Sequence, residues 1–254
     1  MYLRMVEATV KLEGELDLAK IYAERILTAL ENIPGCIFAG LLHSREQTRN
    51  YISLTLWQTE KDAALYEKSG NYQKNLESVK DLLEEGNEWK IRLSKDNTVE
   101  YSPVPIDPSI KTYPVAGEQE TFPGDVSVNR NYLRVLSLKI NMGYKEEFTG
   151  IYNNEILPAL KKVNGCRYAF LLDNSGNEGE MISLSIWDSP ESVKLYEQEG
   201  EYKAFLAKIS HTLGGLYQWK MALENRSKTK KAVTSQDIGV STYTLITGKK
   251  FNQH

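Results

Sequence analysis

Residues 2–12 alternate in character. Val6, Ala8, Val10 and Leu12 fall on one face, and Glu7, Thr9 and Lys11 on the other. That period of two predicts a half-buried strand. After Gly14 the period changes. Leu18, Tyr22, Ile26, Ala29 and Ile33 recur every three or four residues, the apolar stripe of an amphipathic helix, which Pro34 and Gly35 end. A strand is expected over about 36–43, a polar turn over 44–50 and a further strand over about 51–57. A second helical region follows over about 60–84, broken near Ser69 and Gly70, with Leu76, Val79 and Leu83 on its apolar face. The last strand, about 88–93, places Trp89, Ile91 and Leu93 on one side. The order βαββαβ predicts a ferredoxin-like unit.

The whole pattern then repeats. Ile52-Ser53-Leu54-Thr55-Leu56-Trp57 returns 130 residues later as Ile182-Ser183-Leu184-Ser185-Ile186-Trp187, and about 28 of the 92 positions in 2–93 are identical at that offset. The chain therefore divides into a first repeat over 1–93, a proline-rich linker over 94–131, a second repeat over 132–223 and a C-terminal extension over 224–254. Five of the eight prolines lie in 94–131. Proline fixes φ and cannot donate to a ladder, so an extended connection is expected there. Thr112-Tyr113 returns as Thr242-Tyr243, so each copy is expected to close with a short extra strand.

A four-stranded ferredoxin-like sheet carries helices on one face only, and its other apolar face needs a cover. The expected fold is α+β: two ferredoxin-like βαββαβ repeats paired face to face as an intramolecular pseudo-dimeric α+β barrel. Further homo-oligomerisation is left open.

Composition excludes some partners. The formal net charge is −3, which argues against nucleic acid, whose phosphates call for a basic surface. The basic cluster at 228–231 reads as a solvated tail. No run approaches the ~18 apolar residues of a membrane span, and the strand-like alternation beginning at Tyr2 leaves no room for a signal peptide. Cys36 and Cys166 sit at equivalent positions, each after a glycine. They read as small core residues in a reducing, cytoplasmic setting. No metal-ligand spacing, phosphate-binding or dinucleotide glycine pattern, or nucleophile elbow is present. No cofactor or metal site is expected.

The runs IPGCIFAGLLHS and ISLTLWQTEKDAALYEKSGNYQKNL, with NGCRYAFLLDNS and ISLSIWDSPESVKLYEQEGEYKAFL in the second copy, resemble the antibiotic-biosynthesis monooxygenase family. Its markers here are the tryptophan ending the third strand and Tyr-Glu-x-x-Gly-x-Tyr on the second helix. The resemblance implies a dimeric α+β barrel and two classes of activity, cofactor-independent quinol oxidation and haem degradation. The haem-degrading branch uses an Asn, a Trp and a ligating His. Their places hold Glu7, Tyr66 and Leu76 in one copy and Ser137, Tyr196 and Leu206 in the other, so that route is not expected.

A cofactor-free oxygenase must hold an electron-rich phenol in a dry pocket and stabilise its anion. The catalytic candidates are Tyr66, Tyr196, Trp57 and Trp187. The substrate-binding candidates are Arg4, Arg134, Tyr22, Tyr152, Tyr72 and Tyr202. The expected partner is a small hydrophobic or aromatic molecule. The alternative is a non-catalytic binder or sensor of such a molecule on the same fold. The bland reading places Tyr22 and the tryptophans in the core, Arg4 in an edge ion pair and Glu67 and Glu197 on a helix surface.

Overall fold

The computed structural model describes residues 1–45, 47–93, 99–105, 109–118, 131–173, 179–198, 200–214 and 238–251. The first half runs β1 (Tyr2–Thr9), α1 (Glu15–Ile21), a π turn (Tyr22–Ile26), α2 (Leu27–Glu31), β2 (Cys36–Ser44), β3 (Asn50–Trp57), α3 (Glu60–Lys68) and α4 (Asn71–Glu77). β4 (Glu85–Leu93), β5 (Val99–Pro105) and β6 (Ser109–Glu118) follow. The second half repeats this as β7 (Tyr132–Lys139), α5 (Lys145–Ile151), a π turn (Tyr152–Ile156), α6 (Leu157–Leu160), β8 (Cys166–Asp173), β9 (Glu180–Trp187), α7 (Pro190–Gln198) and α8 (Glu201–Ile209). β10 (Ile238–Lys250) ends it.

Eight strands close into one barrel in the order β1-β3-β2-β10-β7-β9-β8-β6, all antiparallel. Each half supplies a four-stranded sheet in ferredoxin-like order, β6-β1-β3-β2 and β10-β7-β9-β8. The last strand of each half crosses to the other half: β6 pairs with β8, and β10 with β2. Closure removes the sheet edges that two separate units would expose.

The fourth strand is not where alternation placed it. The stretch 88–93 lies in β4, whose partner is β5, in a two-stranded sheet apart from the barrel. The fourth place goes to β6, inside the stretch expected to be a linker. Pro114 explains how a proline sits in an interior strand. β6 pairs with β1 through Pro114 and with β8 from Val115 onward, so the proline falls where the strand changes partners. Pro103 and Pro105 lie on β5, a strand with a free edge. Thr112 and Tyr113 lie in β6, and Thr242 and Tyr243 in β10. The second repeat's counterpart of the 88–93 strand, residues 218–223, and the tail cluster at 228–231 lie outside the described residues.

Period two assigns each side chain to one of three cores. Ile52, Leu54 and Leu56 point into the barrel, where they meet Leu133, Ile182, Leu184 and Ile186 of the other half. Trp57 points the other way and packs with Leu18, Tyr22, Ile26 and Leu30 beneath the first-half helices. Trp187 does the same among Phe148, Tyr152 and Ile156 in the second half. The first strand is shorter than its alternation suggested: β1 stops at Thr9, and Leu12 is exposed in a single 3-10 turn. No helix among the described residues is long and apolar enough to cross a membrane.

Candidate functional site

The space between the first-half helices and sheet is not filled. A cavity of about 80 Å³ opens there to solvent. Its floor is one face of the sheet. Arg4, Val6 and Ala8 alternate along β1, and the ladder sets Arg4 against Thr55, Val6 against Ser53 and Ala8 against Tyr51.

Its walls come from three helical segments. Leu18, Tyr22, Ile26 and Leu30 recur every four residues and all face the cavity. On a 3.6-residue helix that spacing drifts by about 40° per step. The π turn takes up the drift: the Leu27 N–H donates to the Tyr22 carbonyl, one residue further than in an α-helix. The opposite wall is Tyr66 of α3 with Tyr72, Asn75 and Leu76 of α4. Thr59 and Asp62 cap α3 reciprocally. Gly70 separates α3 from α4 at φ 78°, where a side chain would be strained. That corner swings Tyr72 and Asn75 back over Tyr66.

The cavity has one polar end. Arg4 is 2% exposed, and its Nε donates to Oε1 of Glu67 at 2.8 Å. Its guanidinium lies 4.3 Å from the Tyr72 ring centroid and 5.8 Å from that of Tyr66, close enough for cation–π attraction. Its Nη2 is buried with no hydrogen-bond partner. Asn75 Nδ2 donates to the Tyr66 hydroxyl at 3.0 Å. Burial pushes the Tyr66 phenol up to about 12, against the pull of Asn75 and Arg4, so it stays protonated at neutral pH. Burial raises Tyr22 too, although it shares a hydrogen bond of 2.9 Å with Ser53. Among the described residues, none that lines the cavity is Asp, Glu or His.

The second half builds the same cage. Arg134 Nε donates to Glu197 at 2.8 Å and lies 4.6 Å from the Tyr202 ring and 6.0 Å from the Tyr196 ring. Its Nη2 is likewise buried and unpartnered. Tyr152 bonds Ser183 at 2.6 Å. The cavity there is only about 30 Å³.

The structure thus brings Arg4, Tyr22, Tyr66 and Tyr72 to one cavity and Arg134, Tyr152, Tyr196 and Tyr202 to the other. It does not bring the tryptophans. Trp57 and Trp187 are fully buried behind Tyr66 and Tyr196, with ring centroids 5.1 and 5.2 Å away. Their indole N–H groups donate to Thr55 at 2.9 Å and Ser185 at 2.8 Å. Arg4 is buried rather than at an edge. Its strand is interior to the barrel, and α3 closes over it. Asn75 was missed. The available signal was a polar residue on the apolar stripe of one helix, where the other copy has Phe205. Among the described residues no group of three or more His, Cys, Asp or Glu is placed to hold a metal ion.

Comparisons with known proteins agree with this architecture. Solved structures that match nearly the whole chain include the following three. A protein of Fusobacterium nucleatum, provisionally described as a monooxygenase, superposes with a TM-score of 0.66 at 8% identity, covering 100% of this chain and 95% of that one. A Lactobacillus acidophilus protein, described in the same way, gives 0.65 at 10% identity over 98% and 96%. An anthrone oxidase-like protein gives 0.57 at 13% identity over 98% and 93%. At such identities these likenesses speak to fold alone. No curated protein sequence gives a significant match. The family model for antibiotic biosynthesis monooxygenase matches residues 1–77 and again 132–208. The chain belongs to the antibiotic biosynthesis monooxygenase family and carries its domain twice.

Proposed function

We propose that the chain is a monooxygenase that oxidises a small, quinol-like aromatic molecule in the first-half cavity, without a tightly held cofactor. The observation that supports this most is the buried, unpartnered Nη2 of Arg4, whose guanidinium lies 5.8 Å from the Tyr66 ring, at one end of a largely apolar cavity. A buried cation without a full set of partners is costly. A ligand oxyanion would complete it.

The reaction needs a phenol or enol ionised in a place that oxygen reaches and water largely does not. Arg4 favours the anion, and each pKa unit it removes is worth about 1.4 kcal/mol. The proton leaves by the open mouth, since no described lining residue is a carboxylate or histidine. Glu67 fixes the guanidinium, and the neutral Tyr66 donates to the developing oxyanion. The anion passes an electron to dioxygen, and the radical pair joins as a peroxide at the ring carbon that shares the anion's charge, in an anthrone the methylene carbon across the ring from the oxygen. Loss of water then leaves one oxygen atom in the product carbonyl. For an anthrone the balance closes: one methylene carbon and one dioxygen molecule give one ketone carbonyl and one water.

One observation favours the competing reading, a carrier or sensor of the same ligand: a wall without acid or base suits binding as well as turnover. Oxygen uptake with a panel of hydroquinones and anthrones separates the two. Uptake above the protein-free control that falls with Tyr66→Phe supports oxidation. Binding without uptake supports the carrier. The free thiols of Cys36 and Cys166 fit a cytoplasmic setting.

A further inference from the structure

Beneath the shared cage the two halves differ in one direction. Val6, Ala8, Leu18, Asn75 and Val79 of the first cavity stand where the second half has Leu136, Leu138, Phe148, Phe205 and Ile209. Each replacement is bulkier. Only Tyr51, opposite Met181, and Thr55, opposite Ser185, run the other way. The result is the fall from about 80 to about 30 Å³. The surviving space in the second half is about one water's share of liquid volume.

The polar ends differ as well. In the first half, Tyr66 accepts from Asn75, so its own hydrogen is left to donate into the cavity. Arg4 Nη2 can only donate. Tyr22 and Ser53 satisfy each other, and Thr55 takes the Trp57 N–H. That end therefore offers the Tyr66 hydroxyl and the Arg4 guanidinium as donors, beside the Asn75 side-chain carbonyl. In the second half Phe205 removes the partner that sets Tyr196 in this way.

We infer that the chain has one working site, in its first half, that it takes a flat apolar molecule entering by a single anionic oxygen, and that the second half is a filled copy maintained for the barrel. This deepens the function proposed above and rests on it only for the location of the site. The size is consistent. A sealed aliphatic cavity of about 150 Å³ holds benzene, so about 80 Å³ with an open side holds the oxygen and part of one ring, with the remainder in the mouth.

The test is an anaerobic titration of the full chain with 4-nitrophenol, whose phenol and phenolate forms differ in absorbance. The expected result is one equivalent per chain, bound as phenolate. Ala8→Leu with Asn75→Phe should weaken it by about tenfold or more. Leu138→Ala with Phe205→Asn should keep the first equivalent and add a second. Near-ultraviolet circular dichroism confirms that each variant is folded. No bound equivalent, two in the unaltered chain, preference for the neutral phenol, or one equivalent indifferent to the first-half substitutions would each overturn the inference. Because the titration uses no oxygen, the two proposals fail separately. One bound phenolate without oxygen uptake sinks the oxidation alone, and uptake with two equivalents sinks the single site alone.

Discussion

Grafting the second half's wall onto the first should silence the site without unfolding the protein. The variant carries Val6→Leu, Ala8→Leu, Asn75→Phe and Val79→Ile. The two cavities differ by about 50 Å³. Filling that volume recovers about 1.2 kcal/mol at roughly 24 cal/mol per Å³. Loss of the Asn75–Tyr66 hydrogen bond returns about 1 kcal/mol of it. The expected net change lies between about 0 and +1 kcal/mol, a shift of at most about 4 °C in Tm for a chain of this size. If the wall were already close-packed, four enlargements would each cost about 1–3 kcal/mol, and Tm would fall by about ten degrees or more. Calorimetry with oxygen uptake decides between these. A Tm within a few degrees of the original, with uptake lost, is the expected pair. A collapse in Tm refutes the cavity, and undiminished uptake refutes its role.

Other outcomes follow from the same contacts. Glu67→Ala should lower stability by about 2 kcal/mol in urea titration. This is less than the 3–5 kcal/mol of a fully buried pair, because Glu67 is 41% exposed and water reaches its site. Trp57→Phe should destabilise by about 1–3 kcal/mol and leave uptake per folded chain unchanged, since the indole faces Thr55 and not the cavity; a large fall in kcat would contradict that placement. Alkali should weaken the fold. Burial raises the Tyr66 phenol and both cysteine thiols to about 12, so the folded state holds protons that the unfolded chain releases earlier. Stability is full below pH ~9 and declines as pH rises toward ~12. A denaturant midpoint that is flat across that window would contradict the burial. The same raised thiols should resist alkylation in the native protein at pH ~8.

The parts of this fold that were legible in sequence were those set by periodicity. The alternation of Ile52, Leu54 and Leu56 with Ser53, Thr55 and Trp57 separated the barrel interior from the helix side, because a strand's two faces are fixed by period two. The corner at Gly70 was legible for its conformational freedom. Pairing of the two apolar faces followed from what a half-covered sheet must bury. Strand partnership was not legible. Trp89, Ile91 and Leu93 announce a strand but not its neighbour, and β6 was hidden by prolines whose placement at a change of partners could not be seen. The candidate site was legible as a set of repeated residue types, Arg4 with Tyr66 and Tyr72. Its geometry was not. Whether an arginine on a strand is buried depends on which helix closes over it, and Asn75 matters only through a contact nine residues away along the chain.

Oxidation of a quinol-like molecule by this chain is tested most directly by incubating the protein with an anthrone under isotopically labelled dioxygen and weighing the product. One labelled atom is expected in the new carbonyl of each product molecule, formed faster than in the protein-free control. Product carrying no label, or no product beyond that control across the panel, would contradict it.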